Sequence, residues 1–386
     1  MSMRWHIISG EYPPQPGGVS DYTRLVAQGL AEQGDAVDVW APAVAAPAAE
    51  SDDAGVTVHR LPDQFGRRSR QMLAQHLDRL PSPQRLLVEY VPHAFGWRAA
   101  NVPFCLWLAS RRSDSIWVMF HEVAFPFERG APVRLNLLAA ANRLMAALVG
   151  GAAERAFVSI PAWRPWVESM LSPGTPVAWL PVPSAIPVVA VANAAGANGQ
   201  VGVIRARYGG GRLLVGHLGT YGRLVKPLLD ASIPALVAEA DCSVLLMGRG
   251  SDTASRELMA SHPALTGRVG ASGPLAPADL SAHVSACDLM LQPYPDGVST
   301  RRTSTMVGLS HGRAVVTTEG ALTEPMWRES NAVALVPVGE PDRLVAAARS
   351  LLSNVPARTA LAERGRSVYD ARFDVRHTIA ALRNPS

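Results

Sequence analysis

This 386-residue sequence is poor in cysteine, in lysine and in paired aspartates. Its three cysteines, Cys105, Cys242 and Cys287, are too far apart for a disulfide framework or a zinc-ligand spacing. A reducing cytoplasm is the simplest setting for them. Lys226 is the single lysine among 36 basic residues. With the abundant alanine, that bias points to a GC-rich, bacterial coding sequence. No two aspartates stand at i, i+2, so a D-x-D metal motif is missing, and no metal site is expected. There is no G-x-S-x-G elbow and no Walker A run, which argues against a hydrolase triad and a P-loop nucleotidase. Met1–Gly10 lacks the long apolar core of a signal peptide. Residues 170–204 carry no charge, but Pro173, Pro176, Pro181, Pro183 and Pro187 interrupt them. They read as a strand and a linker rather than a membrane span.

What is present suits a water-soluble globular chain. Apolar residues make up 48% and charged residues 18%, which excludes a largely disordered protein. The 31 prolines and 32 glycines show no G-X-Y period, so collagen is out. The net charge is +4. Arg67, Arg68 and Arg70 form the densest basic cluster, without interleaved aromatics. It fits a solvated loop or an anionic-surface patch, and nothing asks for nucleic acid.

Short apolar runs alternate with helical patterns. Strands are expected at Trp5–Ser9, Val37–Trp40, Leu86–Tyr90, Ile116–Phe120 and Ala156–Ile160. A helix capped by Ser20 should run to about Gly34. After an uncharged stretch and the breaker Gly209-Gly210-Gly211, the alternation restarts with strands at Leu213–Leu218, Ser243–Met247, Leu289–Gln292 and Ala314–Thr317. Helices are expected at Asp279–Cys287, Ser304–Ser310, Asp342–Leu352 and Ala357–Tyr369. The fold class is therefore α/β, two domains in tandem. The expected boundaries are 1–184, a linker at 185–211, 212–356, and a C-terminal helical segment at 357–386 that could pack back on the first domain.

In open α/β sheets, ligands bind beyond the carboxyl ends of the strands. The first such loop, Glu11 to Ser20, is stiffened by prolines and released by Gly17 and Gly18 at a helix start. Amides there suit an anion, and a plain capped turn fits equally well. His121 ends a strand and could bond a substrate hydroxyl or be structural; Phe125 stands where a zincin would need a second histidine. Gly216–Arg223 combines glycines, Thr220 and a cation, with Lys226 beyond, a set compatible with phosphate. Gly248, Arg249 and Gly250 could hold a nucleoside or turn the chain. The richest stretch is Gln292–Thr305, with Asp296, Gly297, Val298, Ser299, Ser304 and Thr305. Amides and hydroxyls at a helix start can bind a diphosphate without metal.

These motifs resemble the GT-B glycosyltransferases of family 4. The resemblance spans about Trp5 to Thr318 and is most specific from Pro295-Asp296-Gly297-Val298-Ser299 through Arg302-Thr303-Ser304 to Gly312. It implies two Rossmann-like domains facing a central cleft, with the nucleotide-sugar held by the second and the acceptor mainly by the first. It implies metal-independent transfer, usually with retention, from a UDP- or GDP-linked donor and with no cofactor. By position, His121 would contact the donor sugar, Gly17 and Gly18 the diphosphate, and Gly219, Thr220 and Arg223 the phosphates. Asp296 would take the first acidic position of the family's E-x7-E motif. Ser304 falls on the second, and His217 replaces one phosphate-binding cation.

Glu11, Tyr90 and His93 are acceptor-side candidates, with Pro92, Phe95 and Trp97 nearby; a core or turn role is as consistent. Leu135–Val149, with Arg134 and Arg143, reads as a buried helix or an interfacial one that would suit a lipid-linked acceptor at the inner membrane face. Two other classes stay open. One is a GT-B-like nucleotide-binding scaffold, which Ser304 favours. The other is an NAD-dependent oxidoreductase, which the missing G-x-G-x-x-G opposes.

Overall fold

The apolar strand candidates become the central strands of two sheets, because runs such as Trp5–Ile8 and Val244–Met247 bury on both faces. The protein is described by a computed structural model covering residues 2–44, 50–81, 83–130, 132–189 and 199–384. Residues 190–198, inside the expected linker, lie outside that set. The chain forms two units, Met1–Pro181 with Val375–Ser386, and Val182–Asp374. The sequence reading divides the chain at 184 and 357; here the helix Val355–Arg372 belongs to the second unit, and only Val375–Arg383 packs on the first.

Among the described residues the first unit has eight strands: β1 (Arg4–Ser9), β2 (Ala36–Pro42), β3 (Glu50–Asp52), β4 (Val56–Leu61), β5 (Arg85–Tyr90), β6 (Ser115–Phe120), β7 (Arg155–Val158) and β8 (Val177–Trp179). Their order is β3-β4-β2-β1-β5-β6-β7-β8. All pairs are parallel except β3 with β4. The second unit has six among its described residues: β9 (Leu213–Leu218), β10 (Cys242–Met247), β11 (Val269–Ala271), β12 (Leu289–Gln292), β13 (Ala314–Glu319) and β14 (Ala334–Pro337). Their order, β11-β10-β9-β12-β13-β14, is the doubly wound Rossmann sequence 3-2-1-4-5-6. Both sheets are thus Rossmann-like, as the resemblance implies.

Strand β4 escapes the apolar-run reading because His59 and Arg60 interrupt it. Both are buried through polar partners: His59 Nε2 meets Asp38 at 2.8 Å, and Arg60 binds the carbonyls of Tyr12 and Pro13. The first helix runs Gly18–Glu32, so Ser20 is not its cap; the Ser20 hydroxyl donates to the Gln15 carbonyl. All three cysteines are free and buried. Burial pushes the thiols of Cys105 and Cys287 up to about 12, which makes them inert packing groups.

The helix Val133–Gly151 is not simply buried. Ala139, Asn142, Ala146 and Val149 line its inner face, but Val133, Leu135, Leu137 and Leu144 are exposed. It is long and apolar enough to cross a membrane by length and composition.

Candidate functional site

Each sheet reverses its strand order once, between β9 and β12 in the second unit and between β1 and β5 in the first. That is where doubly wound folds open a crevice beyond the strand ends. In the second unit the adjacent strands β10, β9 and β12 deliver three loops to one edge: 248–250, 219–223 and 293–302.

The first two loops are built on backbone. Gly248 has φ +101°, and a Cβ there would come 2.5 Å from the Gly219 carbonyl oxygen, so the turns touch main chain to main chain. Gly250, also left-handed at φ +86°, leads into the helix Ser251–Ser261. The Tyr221 hydroxyl donates to the Met247 carbonyl at 2.9 Å and pins one turn to the other. Thr220, Arg223 and Arg249 are exposed, and neither arginine has an ion pair or hydrogen bond among the described residues. Lys226 is different. Its ammonium bonds Asp230 at 2.7 Å and faces Glu257 at 3.5 Å, and the Asp230 bond raises its pKa. It is committed to its own helix rather than held ready for phosphate.

The third loop is tied internally. Arg301 donates to Asp296 at 2.9 Å, Arg302 bonds its other oxygen, and the Arg302 guanidinium lies over the Tyr294 ring. Asp296 is therefore ion-paired, not free for sugar hydroxyls as expected. Gly297 has φ +85°, and a Cβ there would overlap the Gly320 amide and the Thr323 hydroxyl. The Val298 amide, expected near the sugar, donates to the Thr318 carbonyl at 2.8 Å, and Val298 is fully buried. Ser304 and Thr305 hydroxyls meet the Tyr294 hydroxyl at 2.7 and 2.9 Å. Ser299 is buried with its Oγ unpartnered. The helix Thr303–Ser310 starts at this loop with no side-chain cap.

Two further residues organise this edge, Glu324, which the sequence motifs do not include, and His217, which they do. Buried Glu324 accepts from the Thr300 amide at 3.0 Å, the Thr300 hydroxyl at 2.7 Å and the Trp327 indole at 2.8 Å. Its signal was an acid directly before the helix-starting Pro325. His217, near the end of β9, donates from Nδ1 to the Leu291 carbonyl at 2.8 Å across the reversal, leaving buried Nε2 without a partner. Burial pushes its pKa down to about 4, so the ring is neutral where the resemblance would place a cation.

In the first unit the same edge is filled by protein. The Glu11 carboxylate accepts from the amides of Val19 (3.1 Å) and Ser20 (3.0 Å). It also fills the space a Cβ on Gly17 would take. Glu11 is thus the anion at this helix start, which leaves the Gly17 side closed to a diphosphate; Gly18 remains open. Tyr90 is a core residue, buried with its hydroxyl on the Asn142 carbonyl at 3.3 Å, not an acceptor-pocket wall. His93 is exposed, its ring parallel to that of Phe125. His121 bonds buried Glu89 through Nε2 at 2.7 Å, and Tyr22 packs edge-on against its ring. Glu89 Oε1 is buried and unpartnered. Glu89 was legible as a lone charge inside the apolar run Leu86–Tyr90.

Residues 212–354 match the family model described as glycosyl transferases group 1. No curated protein matches the chain. Among solved structures, the chain is similar to sucrose-phosphate synthase from Thermosynechococcus elongatus, at TM-score 0.72 and 14% identity over 98% of this chain and 97% of that one. It is also similar to WaaG, a glycosyltransferase involved in lipopolysaccharide biosynthesis, at TM-score 0.67 and 14% identity over 99% and 100%. HepE of Anabaena, solved in complex with UDP and glucose, gives TM-score 0.67 and 15% identity over 99% and 98%. At these identities the fold is what is shared. The class so defined is a GT-B chain of two Rossmann-like domains. Within it, the second unit is the part that matches glycosyl transferases group 1.

Proposed function

We propose that the protein transfers a sugar from a nucleoside-diphosphate donor to an acceptor hydroxyl, with retention and without a metal at the diphosphate. The observation that carries this is the edge of the second sheet. There, exposed and unpaired Arg223 and Arg249 and the uncapped start of Thr303–Ser310 sit at the ends of three adjacent strands. A helix N-terminus and free guanidinium groups are what a diphosphate needs. UDP is the favoured base carrier, because the similar HepE of Anabaena is solved with UDP and with UDP-glucose.

In the reaction the bond from anomeric carbon to phosphate oxygen breaks, and the acceptor oxygen bonds that carbon on the same face. The acceptor proton passes to an oxygen of the departing diphosphate. Arg223 and the helix amides stabilise the negative charge gathering there. Asp296, Gly297 and Glu324 hold the loop in shape. The first unit takes the acceptor side, and its His121, oriented by Glu89, bonds a substrate hydroxyl, by position that of the sugar.

A thermal-shift panel of UDP, GDP, ADP and NAD without added metal tests this. A ligand at 100 times its Kd adds about 2.7 kcal/mol of stability, seen as a shift of a few degrees. A shift with UDP, followed by sugar transfer from the UDP-sugar, is expected. A shift with NAD alone, or with nothing, overturns it.

The outward apolar face of Val133–Gly151 favours an acceptor carried on a lipid, at the cytoplasmic face of a membrane. Val133, Leu135, Leu137 and Leu144 are exposed beside Arg134, and Arg143 stacks over exposed Phe127 at 3.8 Å. Co-sedimentation with anionic vesicles is expected; none ends the membrane reading.

A further inference from the structure

The first unit holds a cluster of ligating side chains away from the loops just described. His6 on β1 and Asp38 on β2 are register partners, and His76 comes from the last turn of the helix Arg67–Leu77. One ligand atom from each lies within 4.8 Å of the others. We propose that His6, Asp38 and His76 bind one divalent transition-metal ion of the zinc type. Two imidazoles and a carboxylate are the donor set such ions take.

The lone pairs are placed for it. His6 Nε2 donates to Gln84 Oε1 at 3.1 Å, which fixes the tautomer and leaves Nδ1 unprotonated; Nδ1 accepts from the Trp40 indole at 3.4 Å and lies 3.6 Å from Asp38 Oδ2. His76 Nε2 is buried and has no hydrogen-bond partner among the described residues, so its lone pair is available to an ion. Burial holds the His6 pKa down at about 4 and also lowers that of His76, so both rings are in the neutral form that ligates. Burial alone would raise Asp38, but the hydrogen bond from His59 leads the groups that hold its carboxyl below the usual carboxylate range. His59 Nε2, 2.8 Å from Asp38 Oδ1, orients the carboxylate from the second layer.

Three adjustments accompany binding, the first being that the Trp40 indole releases His6 Nδ1. Tetrahedral bonds of about 2.0–2.1 Å place ligand atoms about 3.4 Å apart, so the three side chains must close inward. Arg4, 3.4 Å from Asp38 Oδ2 and half exposed, must swing out to solvent. The ion would tie β1, β2 and the covering helix together. This site is independent of the donor edge, since His6 lies in mid-strand and the donor loops belong to the other unit.

The test is titration of the full chain, stripped by chelator, with Zn(II) by calorimetry and with Co(II) by absorbance. One ion per chain and a raised melting temperature are expected. His76 is half-buried on a helix, so H76A keeps the fold, as circular dichroism checks. It should weaken binding at least 10–100-fold, the loss typical even of outer-layer partners. H262A, at an exposed histidine of the second unit, should bind as the unchanged protein does. No binding by the unchanged protein, or equal affinity in H76A, overturns the proposal. Nucleotide binding is unaffected either way, so failure here is distinct from failure of the transferase reading.

Discussion

Two helix starts make the instructive contrast. Gly18–Glu32 and Thr303–Ser310 both follow glycine-containing loops at the strand-order reversal of their sheets, and both invite an anion by sequence. In the first, the Glu11 carboxylate already bonds the Val19 and Ser20 amides. In the second, no side chain caps the helix, and unpaired arginines stand on the neighbouring strand ends. A glycine-containing loop before a helix therefore marks an anion site only when the protein leaves it empty. The first unit satisfies its own helix; the second keeps its helix start for a ligand.

The largest expected effect breaks the open side. Arg223→Ala should raise the transfer barrier by about 3–4 kcal/mol, as loss of a preorganised donor does. The melting temperature should stay unchanged, because Arg223 is exposed and unpaired. Steady-state kcat/KM beside calorimetry checks both halves.

Acid probes both units at once. His6 and His217 are buried, each with a pKa lowered to about 4 from 6.5. The unfolded chain binds their protons first, so stability is intact above pH 6.5 and is lost as pH falls towards 4. Each contributes about 3 kcal/mol as an order of magnitude. Urea unfolding at pH 7.5, 6 and 5 should show falling midpoints. H217N should flatten the slope for the second unit only.

Gly297→Ala tests the internal ties of the 293–302 loop. The left-handed backbone and the overlap with Gly320 and Thr323 should cost about 2–3 kcal/mol. Nucleotide binding should weaken together with stability, in contrast to Arg223→Ala.

The smallest effect breaks the filled side. Glu11→Ala removes an acceptor for two amides and should destabilise the protein by about 1–2 kcal/mol in thermal unfolding. It should leave UDP affinity within twofold by calorimetry, although the sequence alone would assign this loop to the diphosphate.

The sheets were legible because buried parallel strands are short apolar runs. Leu213–Leu218 and Leu289–Gln292 fall where expected, and Val37–Trp40 lies within Ala36–Pro42. Strand β4 was not, since His59 and Arg60 are buried only through partners distant in sequence. The loops of the candidate site were legible as clusters of glycine, hydroxyl and charge. What each residue does there was not, because pairing decides it. Asp296 is claimed by two arginines, Lys226 by two carboxylates and the Val298 amide by Thr318. Of these, only Lys226 with Asp230 has a readable spacing, the i, i+4 of a helix face. His6, Asp38 and His76 share no spacing that a one-dimensional reading detects.

The most direct test of the account is hydrogen–deuterium exchange of the full chain with and without saturating UDP. The account predicts slowed exchange in peptides covering 219–223 and 303–305, with 17–20 unchanged. Protection at 17–20 with none at 303–305 would contradict it and place the diphosphate on the first unit's helix.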